Sequence, residues 1–281
     1  MNKVFVILGQ TATGKSNLAV KIAKKINGEI ISADSRQVYK DLDIGSGKIT
    51  EKEMRGVPHH LLSVANPKRK FTVAQYKKLA DNEIKEIIKI GKIPIICGGT
   101  GFYIDALTKG IIFPEVPPNT KLRKELEKKT PEKLFKILKK LDSKRAQNID
   151  AKNSVRLIRS IEIAKYLGKV PQLTEATPPY QFVKIGLFLP DDKLKKNVTK
   201  RVKGMFKNGL LNEIKKLKKS GISEKRLKEF GFEYFNPTEE SVINGTIKYA
   251  KRQMTWFKRD PEIKWFEASN KDQSEIIKLI K

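Results

Sequence analysis

Val4-Phe5-Val6-Ile7-Leu8-Gly9-Gln10-Thr11-Ala12-Thr13-Gly14-Lys15-Ser16 decides the fold. The first five residues are a short, wholly apolar run rich in β-branched side chains. After Ser16, Leu18, Ala19, Ile22, Ala23 and Ile26 recur at helical spacing. A strand therefore runs into a helix over Lys15–Ile26 through Gly9–Ser16, which fits G-x-x-x-x-G-K-[ST]. Glycines let the backbone turn its N–H groups inward around a phosphate, and the helix adds its positive N-terminal end. In that arrangement Lys15 neutralises the outermost phosphate and the Ser16 hydroxyl can hold Mg²⁺. All eight residues, Gly9, Gln10, Thr11, Ala12, Thr13, Gly14, Lys15 and Ser16, are candidates to bind a di- or triphosphate, a nucleotide such as ATP included. The motif alone does not say whether the phosphate is transferred, hydrolysed or expelled.

Outward from this loop, Glu29–Ala33 reads as a second strand, Val73–Ile90 as an amphipathic helix and Ile93–Cys97 as a third strand. Continuous apolar strands separated by helices predict a parallel sheet covered on both faces. The proline-rich PEVPPNT after Phe113 marks a hinge. Lysine-dense helices follow over about Lys121–Leu141 and Asn153–Leu167, and strand signal returns at Val183–Leu189. The expected organisation is an α/β core, 1–113 and 183–281, carrying an all-helical insertion, 114–182. Helices over Asp191–Lys207, Leu210–Ser220 and Glu239–Phe257 and a strand near Ile263–Phe266 complete the core.

Of the 281 residues, 59 are Lys or Arg and 31 Asp or Glu, a net charge of +28. Such a surface attracts polyanions, nucleic acid first among them. The one cysteine, Cys97, excludes an internal disulfide or a cysteine-based zinc site and reads as a buried small residue. No window is long and apolar enough for a membrane span, so a soluble, cytoplasmic, monomeric protein is expected. The adjacent pair His59 and His60 would point opposite ways on a strand and reads as structural.

The strand Ile93–Cys97 ends in Gly98-Gly99-Thr100-Gly101, without the carboxylate that an NTPase uses to order its metal; Asp34, ending the second strand, could serve instead. Asp34 admits two roles, a turn cap or a base at the strand edge where α/β sheets bind ligands.

Five segments in order, GQTATGKS from Gly9, EIISADSRQVY over Glu29–Tyr39, GVPHHL over Gly56–Leu61, GGTGFY over Gly98–Tyr103 and YAKRQMTWF over Tyr249–Phe257, resemble the tRNA dimethylallyltransferase (isopentenyltransferase) family. The likeness runs from residue 3 to about 259. Gln10 stands where proline is usual, Thr13 where serine is common and Arg36 where methionine is frequent. The resemblance implies a P-loop-kinase-like core whose loop grips dimethylallyl pyrophosphate rather than ATP. It implies transfer of the dimethylallyl group to the exocyclic amine of the adenosine 3′ to the anticodon, with Mg²⁺ at Ser16. Asp34 would be the base, and Thr100 and Arg201 would join it as catalytic residues on the pyrophosphate side.

For the tRNA anticodon stem-loop, the resemblance and the basic patches nominate Asp34, Ser35, Arg36, Gln37, Thr100 and Arg123. They also nominate Val155, Arg156, Leu157, Ile158 and Arg159 in VRLIR and Lys251, Arg252 and Gln253 in KRQ. The target base must leave its stack to be reached, and a basic insertion with a basic C-terminal helix would grip the stem from two sides. Alternatives are an adenylate isopentenyltransferase, a small-molecule P-loop kinase, or a nucleotide-gated RNA-binding protein without chemistry.

Overall fold

A computed structural model describes residues 1–269 and 275–276. The chain forms two compact units, Met1–Gly110 with Thr177–Lys281, and Ile111–Ala176.

The first unit is built on a six-stranded, all-parallel sheet of β1 (Asn2–Gly9), β2 (Gly28–Ala33), β3 (His59–His60), β4 (Ile93–Gly98), β7 (Tyr180–Phe188) and β8 (Lys264–Glu267), in the order β3-β2-β4-β1-β7-β8. β1 lies mid-sheet, flanked by β4 and β7, so all its backbone groups can pair. Its side chains alternate between two apolar faces. Val4, Val6 and Leu8 join Tyr76, Ala80, Ile84 and Ile87 of α3 (Val73–Lys89) and Ile104 and Leu107 of α4 (Gly101–Thr108). Phe5 and Ile7 pack instead with Leu18, Ala19, Ile22 and Ala23 of α1 (Lys15–Ile26). That two-sided burial is why the run reads as continuously apolar. A further helix pair, α9 (Asp191–Lys207) and α12 (Glu239–Phe257), buries Val198, Val202, Val242 and Ala250 in its own cluster. Short helices α2 (Glu51–Met54), α10 (Leu210–Lys219) and α11 (Glu224–Phe230) complete the unit.

The second unit holds α5 (Thr120–Leu126), α6 (Pro131–Leu141), α7 (Ser143–Gln147) and α8 (Ser154–Leu167) around Leu134, Leu138, Leu157 and Ile161. Asn119, Thr130, Asp142 and Asn153 cap these helices through their side chains, each accepting a backbone N–H three residues on. Two expectations need correction. The insertion is not all-helical, because β5 (Ile111–Ile112) pairs antiparallel with β6 (Thr174–Glu175) at its root. That pairing draws residues 111–113 into the insertion. The returning strand β7 starts at Tyr180, three residues before the apolar signal at Val183, because its first residues register with Asn2, Lys3 and Val4. The boundaries thus fall at 110/111 and 176/177, not 113/114 and 182/183.

Candidate active site

The loop leaving β1 is shaped by backbone that few residues tolerate. Gly9 sits at φ +127°, and a Cβ there would come within 2.1 Å of Leu187 O. Gly14 is left-handed at φ +84° and caps α1. Gln10 is buried and ties the loop to β7: its N–H donates to Leu187 O at 3.3 Å and its Oε1 accepts from Leu189 N at 3.0 Å. The Thr13 hydroxyl donates to Gln10 O at 2.8 Å, and Lys15 Nζ donates to the same carbonyl.

Facing this loop are the ends of the neighbouring strands. β4 ends at Gly98, where a Cβ would lie 2.2 Å from Ala33 O, so only glycine lets β2 and β4 end this close. Asp34, just past β2, accepts at Oδ1 from Arg36 N (2.8 Å) and Gln37 N (3.3 Å). The turn-cap role is therefore real, and no bond to Oδ2 occurs among the described residues. Thr100 Oγ1 accepts from Ser35 N at 3.0 Å, bracing the same turn from the start of α4. Gln37 donates to Gly47 O at 3.2 Å, and Arg201 donates to Ser46 O at 3.4 Å.

These elements enclose a cavity of about 410 Å³, lined by Thr11, Ala12, Gly14, Lys15, Ser16, Asp34, Gln37, Cys97 and Arg201, among others. A second cavity, about 600 Å³, shares Ala12, Gly14, Gly47, Glu53 and Arg201 with it and extends along α9 past Asn197, Lys200 and Met205. Burial pulls the Lys15 pKa down to about 8, with Arg201 adding repulsion. Arg201 is lowered too, chiefly by burial, against the pull of Asp34, Glu233 and Glu53. Burial pushes the Cys97 thiol up to about 11, so it stays protonated beside Lys15 and Ser16. Burial likewise holds Glu233 at about 7, although Arg36 and Arg201 favour its anion.

Several candidate residues lie elsewhere than expected. Gln253 is only 5% exposed; its Oε1 accepts from Thr11 N at 2.8 Å and its Nε2 donates to Gly99 O at 2.9 Å. It joins the phosphate loop to the end of β4, with its side chain turned into the protein. Lys251 and Arg252 are exposed on α12, Lys251 3.7 Å from the Asp191 carboxylate and Arg252 over the ring of Tyr249. In VRLIR the exposed residues are Val155 and Arg156; Leu157 and Ile158 are buried in the insertion's core. Arg123 and Arg159 both turn inward to Glu162, which is 2% exposed. Arg123 forks onto it through Nε (2.8 Å) and a terminal nitrogen (2.6 Å), Asn119 N donates at 2.7 Å, and Arg159 also reaches Val116 O at 3.1 Å. Arg159, expected with Arg156 to meet a phosphate backbone, and Arg123, expected to contact RNA, thus neutralise a buried carboxylate.

His60 bridges Glu29 (2.6 Å) and Glu83 (2.9 Å), and His59 Nδ1 lies 2.8 Å from Val57 O, at the sheet edge away from the cavity. Sequence reasoning missed Tyr249, Gly47, Glu53 and Arg55 as cavity residues. Tyr249 was discoverable, since Tyr249, Gln253 and Trp256 fall at i, i+4 and i+7 on one helix face.

A glycine-shaped phosphate loop at the C-terminal edge of a parallel sheet, with a carboxylate and an arginine on the same cavity, defines a phosphate-loop α/β enzyme. Residues 37–260 match the family model described as IPP transferase. Over 99% of this chain and 91% of the relative, the tRNA dimethylallyltransferase of Halothermothrix orenii is 37% identical. That of Anoxybacillus flavithermus is 38% identical over 95% and 91%. The crystal structure of the tRNA isopentenylpyrophosphate transferase from Bacillus halodurans matches with a TM-score of 0.72 at 36% identity, covering 100% of this chain and 96% of that one. A eukaryotic dimethylallyltransferase acting on tRNA matches with a TM-score of 0.83 at 27% identity, covering 98% and 76%. The chain belongs to the IPP transferase family.

Proposed function

We propose that this protein transfers the dimethylallyl group of dimethylallyl diphosphate to the exocyclic amine of the adenosine 3′-adjacent to the anticodon in tRNA, releasing diphosphate. The observation that carries it is one cavity lined by Gly14, Lys15 and Ser16 of the phosphate loop together with Asp34 and Arg201. The diphosphate end of the donor suits the loop amides and the N-terminus of α1, with Lys15 and Arg201 as counter-charges. The amine nitrogen attacks the allylic carbon, the carbon–oxygen bond breaks with its electron pair leaving on diphosphate, and the amine proton passes to the Asp34 carboxylate. A conjugated amine is a weak nucleophile, so alignment and a base matter as much as the leaving group. The two amides bound at Asp34 Oδ1 fix that carboxylate's direction. Thr100 acts on the Ser35 amide, as a brace for the turn.

Mg²⁺ suits the donor set: Ser16 offers one hard oxygen beside the loop, and such an ion takes its remaining ligands from phosphate oxygens and water. When bound, it would neutralise charge growing on the leaving group. Exposed Arg156, Lys251 and Arg252, on a chain of net charge +28, remain suited to an RNA backbone, with exposed Val155 beside Arg156. Cytoplasmic action follows from such a substrate. The absence of a carboxylate at the end of β4 argues against a kinase or ATPase.

The test is incubation with dimethylallyl diphosphate, Mg²⁺ and unmodified tRNA, with ATP and AMP as competitors. Prenyl transfer to tRNA alone is expected. Phosphate release from ATP without prenylated product, or prenylation of AMP in preference to tRNA, would refute it.

A further inference from the structure

Glu213, in the first turn of α10, is buried, and its carboxylate gathers four donors. Oε2 accepts from Asp43 N at 3.0 Å and Ile44 N at 2.7 Å; Oε1 accepts from Gly45 N and Tyr234 Oη, each at 3.1 Å. Three consecutive amides around one carboxylate form an anion-binding concavity built for a side chain of the same protein. Charge-assisted bonds of this kind are the strong ones, and removing the charge orphans several buried N–H groups together.

The far side of those peptides carries the arrangement toward the cavity. The carbonyls of Leu42, Asp43 and Ile44 accept from Ser46 Oγ (2.6 Å), Lys48 N (2.9 Å) and Gly47 N (3.0 Å). Each peptide that donates to Glu213 thus holds the other limb of the same loop, and hydrogen bonds in series strengthen one another. The loop in turn presents Ser46 O to Arg201 and Gly47 O to Gln37. Gly47 is left-handed at φ +58°, and a Cβ there would lie 1.8 Å from an Arg201 guanidinium nitrogen. The guanidinium therefore rests directly on a loop whose fold Glu213 dictates.

We infer that Glu213 is a positioning residue, which sets Arg201 against the diphosphate through the Asp43–Gly47 loop without touching substrate itself. This rests on the functional reading above, in which Arg201 faces the leaving group.

The test is a double-mutant cycle on affinity for inorganic diphosphate with Mg²⁺, by calorimetry, with melting temperatures alongside. Glu213→Gln keeps the volume but loses the charge. Glu213→Gln and Arg201→Ala should each weaken diphosphate binding about tenfold, and the double variant should be no more than about twofold weaker than Arg201→Ala alone. In prenyl transfer, Glu213→Gln should raise KM for the donor while leaving KM for tRNA within about twofold. Glu213→Asp, which keeps the charge but draws it back, should fall between and serves in the same cycle if the glutamine variant does not fold. Independent, multiplying losses from the two sites would overturn the positioning role, as would undiminished binding by Glu213→Gln. Failure of the unmodified protein to bind diphosphate would instead overturn the functional reading, and with it the role assigned to Arg201.

Discussion

Gln253→Ala separates a structural brace from an RNA contact. The side chain reaches across 242 positions of sequence to Thr11 N and 154 to Gly99 O, from a site almost closed to solvent. Truncation deletes both bonds. Gly99 O keeps a donor in Tyr249 Oη at 3.3 Å, so losing the amide there costs about 1 kcal/mol. Thr11 N loses its acceptor, a further 1–3 kcal/mol or so if water does not replace it. The loss expected is about 3 kcal/mol, which lowers the melting temperature by roughly 6–12 °C for a domain of 150–250 residues. Because Thr11 belongs to the phosphate loop, affinity for a non-reactive dimethylallyl diphosphate analogue should fall as well, while tRNA affinity at a fixed salt concentration changes little. Thermal melting followed by circular dichroism, calorimetry with the analogue, and filter binding of tRNA read the three quantities separately. An unchanged melting point with weakened tRNA binding would refute the brace and return Gln253 to the RNA surface.

Asp34→Asn should lower the prenyl-transfer rate by at least about a hundredfold, the usual contribution of a positioned base, with tRNA affinity nearly intact; single-turnover kinetics at near-normal rates would remove Asp34 from the proton transfer. Lys15 has its pKa lowered to about 8, and a bound diphosphate favours its charged form, so binding takes up a proton above that pH. Analogue affinity should therefore be about tenfold weaker at pH 9 than at pH 7, and a flat profile over that span would contradict it. Glu233, raised from 4.5 to about 7 by burial, keeps its proton longer folded than unfolded, so native stability falls as pH rises between those values. Glu233→Gln should match the parent near pH 4.5 and exceed it by up to about 3 kcal/mol at pH 8 in urea unfolding, and parallel curves would show the shift to be absent. Arg156→Ala should weaken tRNA binding and reduce the salt slope by about 1, whereas Arg159→Ala should chiefly lower the melting temperature by stripping a partner from Glu162; equal effects on RNA would undo that division.

What could be read in the sequence was local. The phosphate loop, α1 and the apolar strands depend on residues a few positions apart, and α1, α9 and α12 fall at the bounds that periodicity predicted. The helix α4 was missed because Gly98-Gly99-Thr100-Gly101 looks like the tail of a strand, while Thr100 in fact begins a new element. β3 is two histidines long and has no pattern to detect. The basic residues misled for a different reason. In a chain with a surplus of 28 positive charges, the one nearby cue, Glu162 three residues beyond Arg159, reads equally well as an exposed helix pair, and Arg123, 39 positions from that carboxylate, has no local cue at all. Glu213 gave no signal at all, since its ligands are amides about 170 residues upstream.

The way the cradle is held has a consequence for the order in which the protein is made. Its glycines and lysine are synthesised well ahead of the strand carrying Leu187 and of the helix carrying Gln253, which reaches Thr11 across 242 positions. A nascent chain therefore owns the motif before it owns the pocket, and a growing polypeptide should hold no phosphorylated ligand there until the helix carrying Gln253 has been made.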